Sequence, residues 1–311
     1  MNDGNWMPAT ALGTSMQVDL NDRQYMRQAV IWAIEAGYRH IDTAALYVSE
    51  DLIGEAIKNV TRRGIVKRTE LFITTKLTFT VATCKDVMQS MRDSLKRLQL
   101  QYLDMILIHT PRNVLRIRNR DYLVIWKCLE EAKRMGLTRS IGVSNFNATE
   151  INRILLHSKT PPAVNQIETN PTFTNLELVA YCQSKGIVVT GYAPLGFLVP
   201  RSFTDLQLPP TFDDPILVGM AEKYCVEVSQ IVLRYLVESF KKSETVQLND
   251  GNMMPATAFG TFMTDLDNRP YMPQAVEWAI KAGYRHIDTA ALYASEDKIG
   301  EALKDLIKRA P

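Results

Sequence analysis

Short runs of apolar and β-branched residues alternate along this chain with longer segments whose apolar residues recur every three or four positions. These are the periods of buried strands and of amphipathic helices. The pattern predicts a strand over 11–14 and a helix over 25–36, which Gly37 can stop in a left-handed conformation. A strand over 40–43 follows. Ser49, with Glu50 and Asp51 behind it, then predicts a helix to residue 58 with the serine as N-cap and the acids near the positive end of the helix dipole. After a strand over 71–76, the next helix opens with the capping-box pattern Thr83-Cys-Lys-Asp86 and carries Val87, Met91, Leu95 and Leu98 along one face. The alternation continues through a strand over 105–109, a helix over 121–135 ended by Gly136, a strand over 140–145 and a helix beginning Asn147-Ala-Thr-Glu150. It closes with a strand over 163–166, a helix over 176–185 ended by Gly186, and a strand over 187–192.

Seven strands in alternation with helices imply successive right-handed βαβ units, and a run of that length favours a parallel barrel over an open sheet. The fold class is therefore α/β, a (β/α)8 TIM-type barrel. Beyond Tyr192, a loop over 197–214 with Pro200, Pro209 and Pro210 exceeds ordinary connector length and is a candidate binding loop. Helical segments over 215–240 come next, with Ser229 as a cap for the second. At Lys241-Lys-Ser243 the alternation breaks, so the eighth βα unit is atypical or missing.

A repeat takes its place. Asn249-Asp-Gly-Asn-Met-Met-Pro255 restates Asn2-Asp-Gly-Asn-Trp-Met-Pro8, and Gly283-Tyr-Arg-His-Ile-Asp288-Thr-Ala-Ala-Leu-Tyr293 restates Gly37-Tyr-Arg-His-Ile-Asp42-Thr-Ala-Ala-Leu-Tyr47. The chain accordingly reads as a barrel over 1–240 followed, over 244–311, by a duplicated N-terminal βαβα segment equivalent to residues 1–65.

Composition narrows the class further. The net charge is +2, with lysines and arginines scattered among acids, so there is no basic stripe for nucleic acid. No stretch approaches the ~18 apolar residues of a membrane span, and the first residues lack the basic and apolar parts of a targeting signal. A cytoplasmic protein is expected. Cys84, Cys128, Cys182 and Cys225 are isolated in sequence, without the close pairs of a zinc site, and are expected as buried thiols.

Buried parallel strands should be apolar, yet Asp42, Lys76, His109, Ser144, Asn145, Gln166 and Tyr192 each fall at the C-terminal end of an expected strand. That is the end at which barrel enzymes assemble their active sites. An acid, a lysine, a histidine and the nearby Tyr47 suit proton transfer to a carbonyl oxygen. A free phenol titrates near ~10, and an adjacent ammonium favours its ionised form. Lys76 supplies the ammonium, Asp42 keeps it charged, and His109 orients the carbonyl by hydrogen bonding. A proton donor alone reduces nothing, so a hydride cofactor is implied, although no G-x-G-x-x-G follows a strand. No metal cluster or Ser-His-Asp arrangement competes.

These residues resemble the aldo-keto reductases, NADPH-dependent barrel enzymes, over about 2–240. The most specific stretches are Gly37 to Gly54 and Arg139-Ser-Ile-Gly-Val-Ser144-Asn145-Phe. Thr74-Thr-Lys76, Leu107-Ile-His109, Asn165-Gln166 and Gly191-Tyr192-Ala-Pro-Leu-Gly196 support them. The resemblance implies Tyr47 as general acid, tuned by Lys76 and Asp42, with His109 placing a small carbonyl substrate. It implies that Ser144, Asn145 and Gln166 hold the carboxamide of NADPH while Tyr192 stacks on the nicotinamide. It further implies an NADP-dependent reductase of the alcohol dehydrogenase type. A monomer is expected, with domain exchange open to it through an unpaired strand from either copy. Three aromatic positions of the family correspond here to Ser15, Thr78 and Thr110, implying a wider pocket. The family's eighth strand, with its Lys-Ser grip on the 2′-phosphate, is replaced by the repeat, and Lys242 and Ser243 match that grip in letters only.

Asp288 and Tyr293 duplicate Asp42 and Tyr47 without counterparts of Lys76 or His109, so copy one is expected to face Lys76, and copy two is the alternative. A strand over 257–261 is a candidate to fill the eighth position. The rival functional readings are a catalytically impaired, reductase-derived binding protein and a fusion of tandem genes.

Overall fold

Every second residue of the central strands points into a common lumen, and the residues between them face a surrounding layer of helices. The computed structural model describes residues 1–15, 24–78, 80–111, 121–196, 212–240, 245–247, 253–255, 259–260, 272–281, 287–288 and 296–309. The chain divides into two compact units, Met1–Leu236 and Val237–Pro311.

In the first unit, seven strands pair in sequence order and always in parallel: β1 (Leu12–Gly13), β2 (His40–Asp42), β3 (Phe72–Lys76), β4 (Leu103–Ile108), β5 (Thr138–Ser144), β6 (Val164–Glu168) and β7 (Val188–Tyr192). Helices fill the connections: α1 (Met26–Glu35), α2 (Glu50–Arg62), α3 (Cys84–Leu98), α4 (Tyr122–Arg134), α5 (Ala148–His157) and α6 (Leu176–Ser184). This is a nearly closed TIM-type barrel. Among the described residues no eighth strand joins the sheet, and β1 and β7 are its edges.

Outward-facing Ile41, Ile73, Ile106, Ile141 and Val143 join helix residues such as Ile34, Ile53, Leu98, Trp126 and Ile151 in one buried core. Inward-facing Phe72, Met105, Leu107 and Val164 form a smaller cluster inside the barrel. At the N-terminal end of the strands, fully buried Asp104 accepts hydrogen bonds from Arg68 Nη2 (2.7 Å), Arg139 Nη1 (3.2 Å) and the Ile73 amide (3.0 Å). A carboxylate withdrawn from water needs such partners, and these three stitch β3, β4 and β5 together.

The local signals act largely as expected. Thr83 with Asp86 and Asn147 with Glu150 form reciprocal capping boxes, and Asp121 accepts the Leu123 amide at the start of α4. Ser49 departs from expectation: it makes no capping bond, because its hydroxyl is buried against Thr14 and Thr43. The helices α7 (Pro215–Tyr224) and α8 (Val228–Phe240) follow, α7 capped by Asp214. Ser229 lies inside α8 rather than at its cap, since the helix already begins at Val228. The candidate binding loop lies outside the described residues over 197–211. No described helix is long and apolar enough to cross a membrane.

In the second unit, β8 (Thr245–Gln247) and β9 (Met253–Pro255) form an antiparallel pair. There β10 (Phe259–Gly260) pairs in parallel with β11 (Ile287–Asp288), and α9 (Met272–Lys281) packs on α10 (Glu296–Arg309) through Met272, Val276, Ile299 and Ala302. The register Phe259↔Ile287 and Gly260↔Asp288 matches Leu12↔Ile41 and Gly13↔Asp42. The candidate eighth strand is therefore corrected: its described part, β10, pairs with β11 in a two-stranded sheet.

The cysteine reading is also corrected. Cys84, at the start of α3, and Cys128, within α4, form a disulfide with their Cα atoms 5.2 Å apart. They lie 44 positions apart in sequence, and only the side-by-side packing of two helices brings them together. Cys182 is a buried thiol as expected, whereas the Cys225 thiol is exposed.

Two stability tests follow from this packing. A Cβ on Gly54 would sit 2.6 Å from the Leu98 carbonyl group, so Gly54→Ala should cost about 1–3 kcal/mol by overpacking. Gly300 occupies the repeated position in α10 with nothing described within 4 Å, so Gly300→Ala should be neutral or stabilise by up to about 1 kcal/mol through helix propensity. Urea denaturation of the two variants checks the contrast, and equal shifts would count against it. The disulfide should contribute up to about 4 kcal/mol by restricting the unfolded chain. Dithiothreitol should therefore lower the Tm of the wild type and leave a Cys84→Ser, Cys128→Ala double variant unmoved.

Candidate active site

Asp42 and Lys76 are the last residues of adjacent strands, both in the inward phase. The Lys76 side chain is 1% exposed, and its ammonium reaches Asp42 Oδ1 (2.5 Å), the Thr43 carbonyl (3.1 Å) and the Tyr47 hydroxyl (3.3 Å). An ammonium has three protons, and three acceptors meet it here. The charge is buried but paired, the condition under which a buried ion is tolerated.

Tyr47 ends the short 3₁₀ turn Ala45–Tyr47, and the chain enters α2 through Val48, whose φ of 55° is left-handed. That conformation is strained for a branched residue. The turn is fastened beyond it by two buried groups. Ser49 Oγ lies 3.3 Å from Thr43 Oγ1 and 3.4 Å from Thr14 Oγ1. Glu50, 1% exposed, accepts from Thr75 Oγ1 (2.7 Å) and Arg97 Nε (2.8 Å). Thr75 precedes Lys76, so the tyrosine turn is tied to the strand that carries the lysine. Sequence reasoning took Ser49 for an N-cap and Glu50 for an acid facing the helix dipole, and missed this role. One signal was present: Glu50 shares the helix face of Ile53, Gly54 and Ile57, all buried.

His109 follows β4. Its ring meets the Tyr47 ring edge to face, with centroids 5.9 Å apart and planes at 83°. Burial, reinforced by the Lys76 charge, pushes its pKa down to about 4. At neutral pH the ring is uncharged, and a neutral imidazole can donate one hydrogen bond without adding a second cation.

The remaining candidates converge from β5, β6 and β7. Ser144 Oγ donates to the Gln166 carbonyl (2.9 Å), as does the Asn145 amide (2.9 Å). Asn145 takes a left-handed φ of 62°, and its side chain donates to the His109 carbonyl (2.9 Å) and accepts from the Tyr192 hydroxyl (2.7 Å). Gln166 Nε2 donates to Asp42 Oδ2 at 2.7 Å. The fold thus brings all eight sequence-predicted residues to one end of the barrel, and copy one, with Asp42 and Tyr47, adjoins Lys76. Tyr192, 37% exposed, adjoins Asn145, and with the hydroxyl and amide groups of Ser144, Asn145 and Gln166 at the same end of the barrel it makes a set suited to a flat ring bearing a carboxamide. Ser15 is exposed, and Thr78 and Thr110 are half-buried. Lys242 and Ser243 lie outside the described residues. No cluster of metal-binding side chains occurs among the described residues.

A hollow lined by Thr69, Tyr102 and Arg139 opens at the opposite, N-terminal end of the strands. Its arginine is already bound to Asp104 and to Asn5 Oδ1 (3.1 Å), and the groups suited to proton transfer are at the other end.

A family model described as Aldo/keto reductase family matches residues 10–257 and again 256–311. Aldo-keto reductase AKR2E4 of Bombyx mori is 48% identical over 243 residues, 76% of this chain and 79% of that protein. Human aldo-keto reductase family 1 member A1 is 38% identical over 253 residues, covering 76% of each chain. The crystal structure of AKR2E4 in complex with NADP superposes with a TM-score of 0.72, covering 76% of this chain and 78% of that one. That of AKR2E5 complexed with NADPH gives a TM-score of 0.73 at 39% identity, covering 76% and 74%.

The depressed His109 pKa makes stability depend on pH. Between its folded value of about 4 and the ordinary value near 6.5, the unfolded chain binds the proton and the folded chain does not. This contribution is fully present above about 6.5 and is lost as pH falls towards 4. Buried His40, also lowered chiefly by burial, acts in the same direction. Urea unfolding measured across that window should show stability falling with pH, and His109→Asn should flatten the slope.

Proposed function

The chain belongs to the aldo/keto reductase family, and from that premise we propose that it reduces an aldehyde or ketone to an alcohol with NADPH, using Tyr47 as the general acid. The observation that carries this reading is the Lys76 ammonium 3.3 Å from the Tyr47 oxygen, with Asp42 paired to the lysine behind it. NADPH, when bound, supplies the hydride that adds to the carbonyl carbon. Tyr47 gives its proton to the carbonyl oxygen, and the adjacent ammonium stabilises the negative charge left on the phenol oxygen. Asp42 keeps that ammonium charged. Neutral His109, packed against the Tyr47 ring, orients the carbonyl as a hydrogen-bond donor. Ser144, Asn145 and Gln166 would hold the carboxamide, with the Tyr192 face against the nicotinamide. Small side chains at Ser15, Thr78 and Thr110 favour a pocket wider and less aromatic than is usual in the family.

The test is carbonyl-dependent loss of NADPH absorbance over a panel of aldehydes and ketones. Tyr47→Phe should lower kcat by at least about a hundredfold while preserving NADPH affinity. Tyr293→Phe, in the copy without a matching lysine or histidine, should leave turnover unchanged. Retained turnover in Tyr47→Phe would sink the assignment. NADPH binding without turnover in the wild type would favour an impaired, reductase-derived binding protein.

A further inference from the structure

The Gln166 side chain reaches across the barrel. It starts on β6 and ends on Asp42 of β2, with β3, β4 and β5 lying between them along the sheet. The two oxygens of Asp42 are thereby divided: Oδ1 receives the Lys76 ammonium and Oδ2 the Gln166 amide. A carboxylate held through one oxygen can still turn about its last, softly restrained bond. A second bond from the opposite wall fixes its plane. Gln166 is fit to serve as that fixed point, because its own carbonyl accepts both the Ser144 hydroxyl and the Asn145 amide, and the residue is 8% exposed. Its amide also has donor and acceptor capacity beyond this bond, so contact with a cofactor carboxamide is compatible with it.

We propose that Gln166 is a positioning residue for the proton transfer: through Asp42 it sets the orientation of the Lys76 ammonium against Tyr47. The kinetic consequence rests on the reductase reading above, whereas the coupling between Gln166 and Asp42 does not. Gln166→Met keeps the length of the side chain and removes the hydrogen bond. At saturating NADPH it should lower kcat about fivefold to tenfold with the KM for the carbonyl little changed, and add no further loss in an Asp42→Ala background. A rise in the KM for NADPH alone, with the two substitutions multiplying in the double variant, would assign Gln166 to the cofactor only and overturn the proposal.

The same four proteins, unfolded in urea without cofactor, give a second reading independent of turnover. Non-additive stabilities support the strut, and additive ones overturn it. If the wild type turns over no carbonyl, the reductase reading fails and this second cycle alone decides. Should Gln166→Met not fold, Gln166→Asn, whose amide falls one methylene short of Asp42, replaces it with the same outcomes.

Discussion

A lysine ammonium taken out of water is the constraint on which the upper half of this barrel depends. Desolvating such a charge costs several kcal/mol, recovered only where geometry supplies close partners. Lys76 finds them in Asp42, the Thr43 carbonyl and Tyr47, all contributed by β2 and the turn that follows it. The requirement reaches back into the register of the sheet. Asp42 lies opposite Thr74, so Lys76 extends two residues further up the lumen, in the same inward phase. A slip of one residue would turn Lys76 towards the helices and Thr75 into the lumen. Thr75 is itself engaged on the outer side by Glu50, so the wrong register loses two buried polar contacts at once.

The site is built from strand ends but held by what lies around them. Glu50 and Arg97 anchor the tyrosine turn from the helix layer, and Gln166 reaches Asp42 from the far wall. Left-handed backbone at Val48, Asn145 and Ala193 accompanies Tyr47, Ser144 and Tyr192. Strain of this kind persists where surrounding contacts over-determine the chain. Here the hydroxyl cluster of Thr14, Thr43 and Ser49 and the bonds converging on Asn145 provide them.

The seven strands, their order and the convergence of Asp42, Lys76, His109, Ser144, Gln166 and Tyr192 were legible because parallel strands admit few polar residues. Each exception at a strand end therefore carries information. Capping boxes were legible for a similar reason, since both partners lie within four residues. What could not be read depends on contacts distant in sequence. Ser49 has the letters of an N-cap and the environment of a core hydroxyl. Cys84 and Cys128 meet only because α3 and α4 pack side by side. The Gln166–Asp42 bond joins residues 124 apart, and neither letter announces the other.

The repeat separates what a motif specifies from what its surroundings specify. Both copies form the same pair of short parallel strands in the same register and pack two helices together, so the letters suffice for that local unit. They do not fix the environment of its residues. Gly54 is pressed against the backbone of α3, whereas Gly300, the same glycine in the same helical position, has open space around it among the described residues. The first copy's acid and phenol meet a lysine on the next strand, and its acid also meets a glutamine across the lumen. An Asp-Thr-Ala-Ala-Leu-Tyr stretch thus supplies the acid and the phenol of this site without being the site: the buried cation that pairs with them comes from β3.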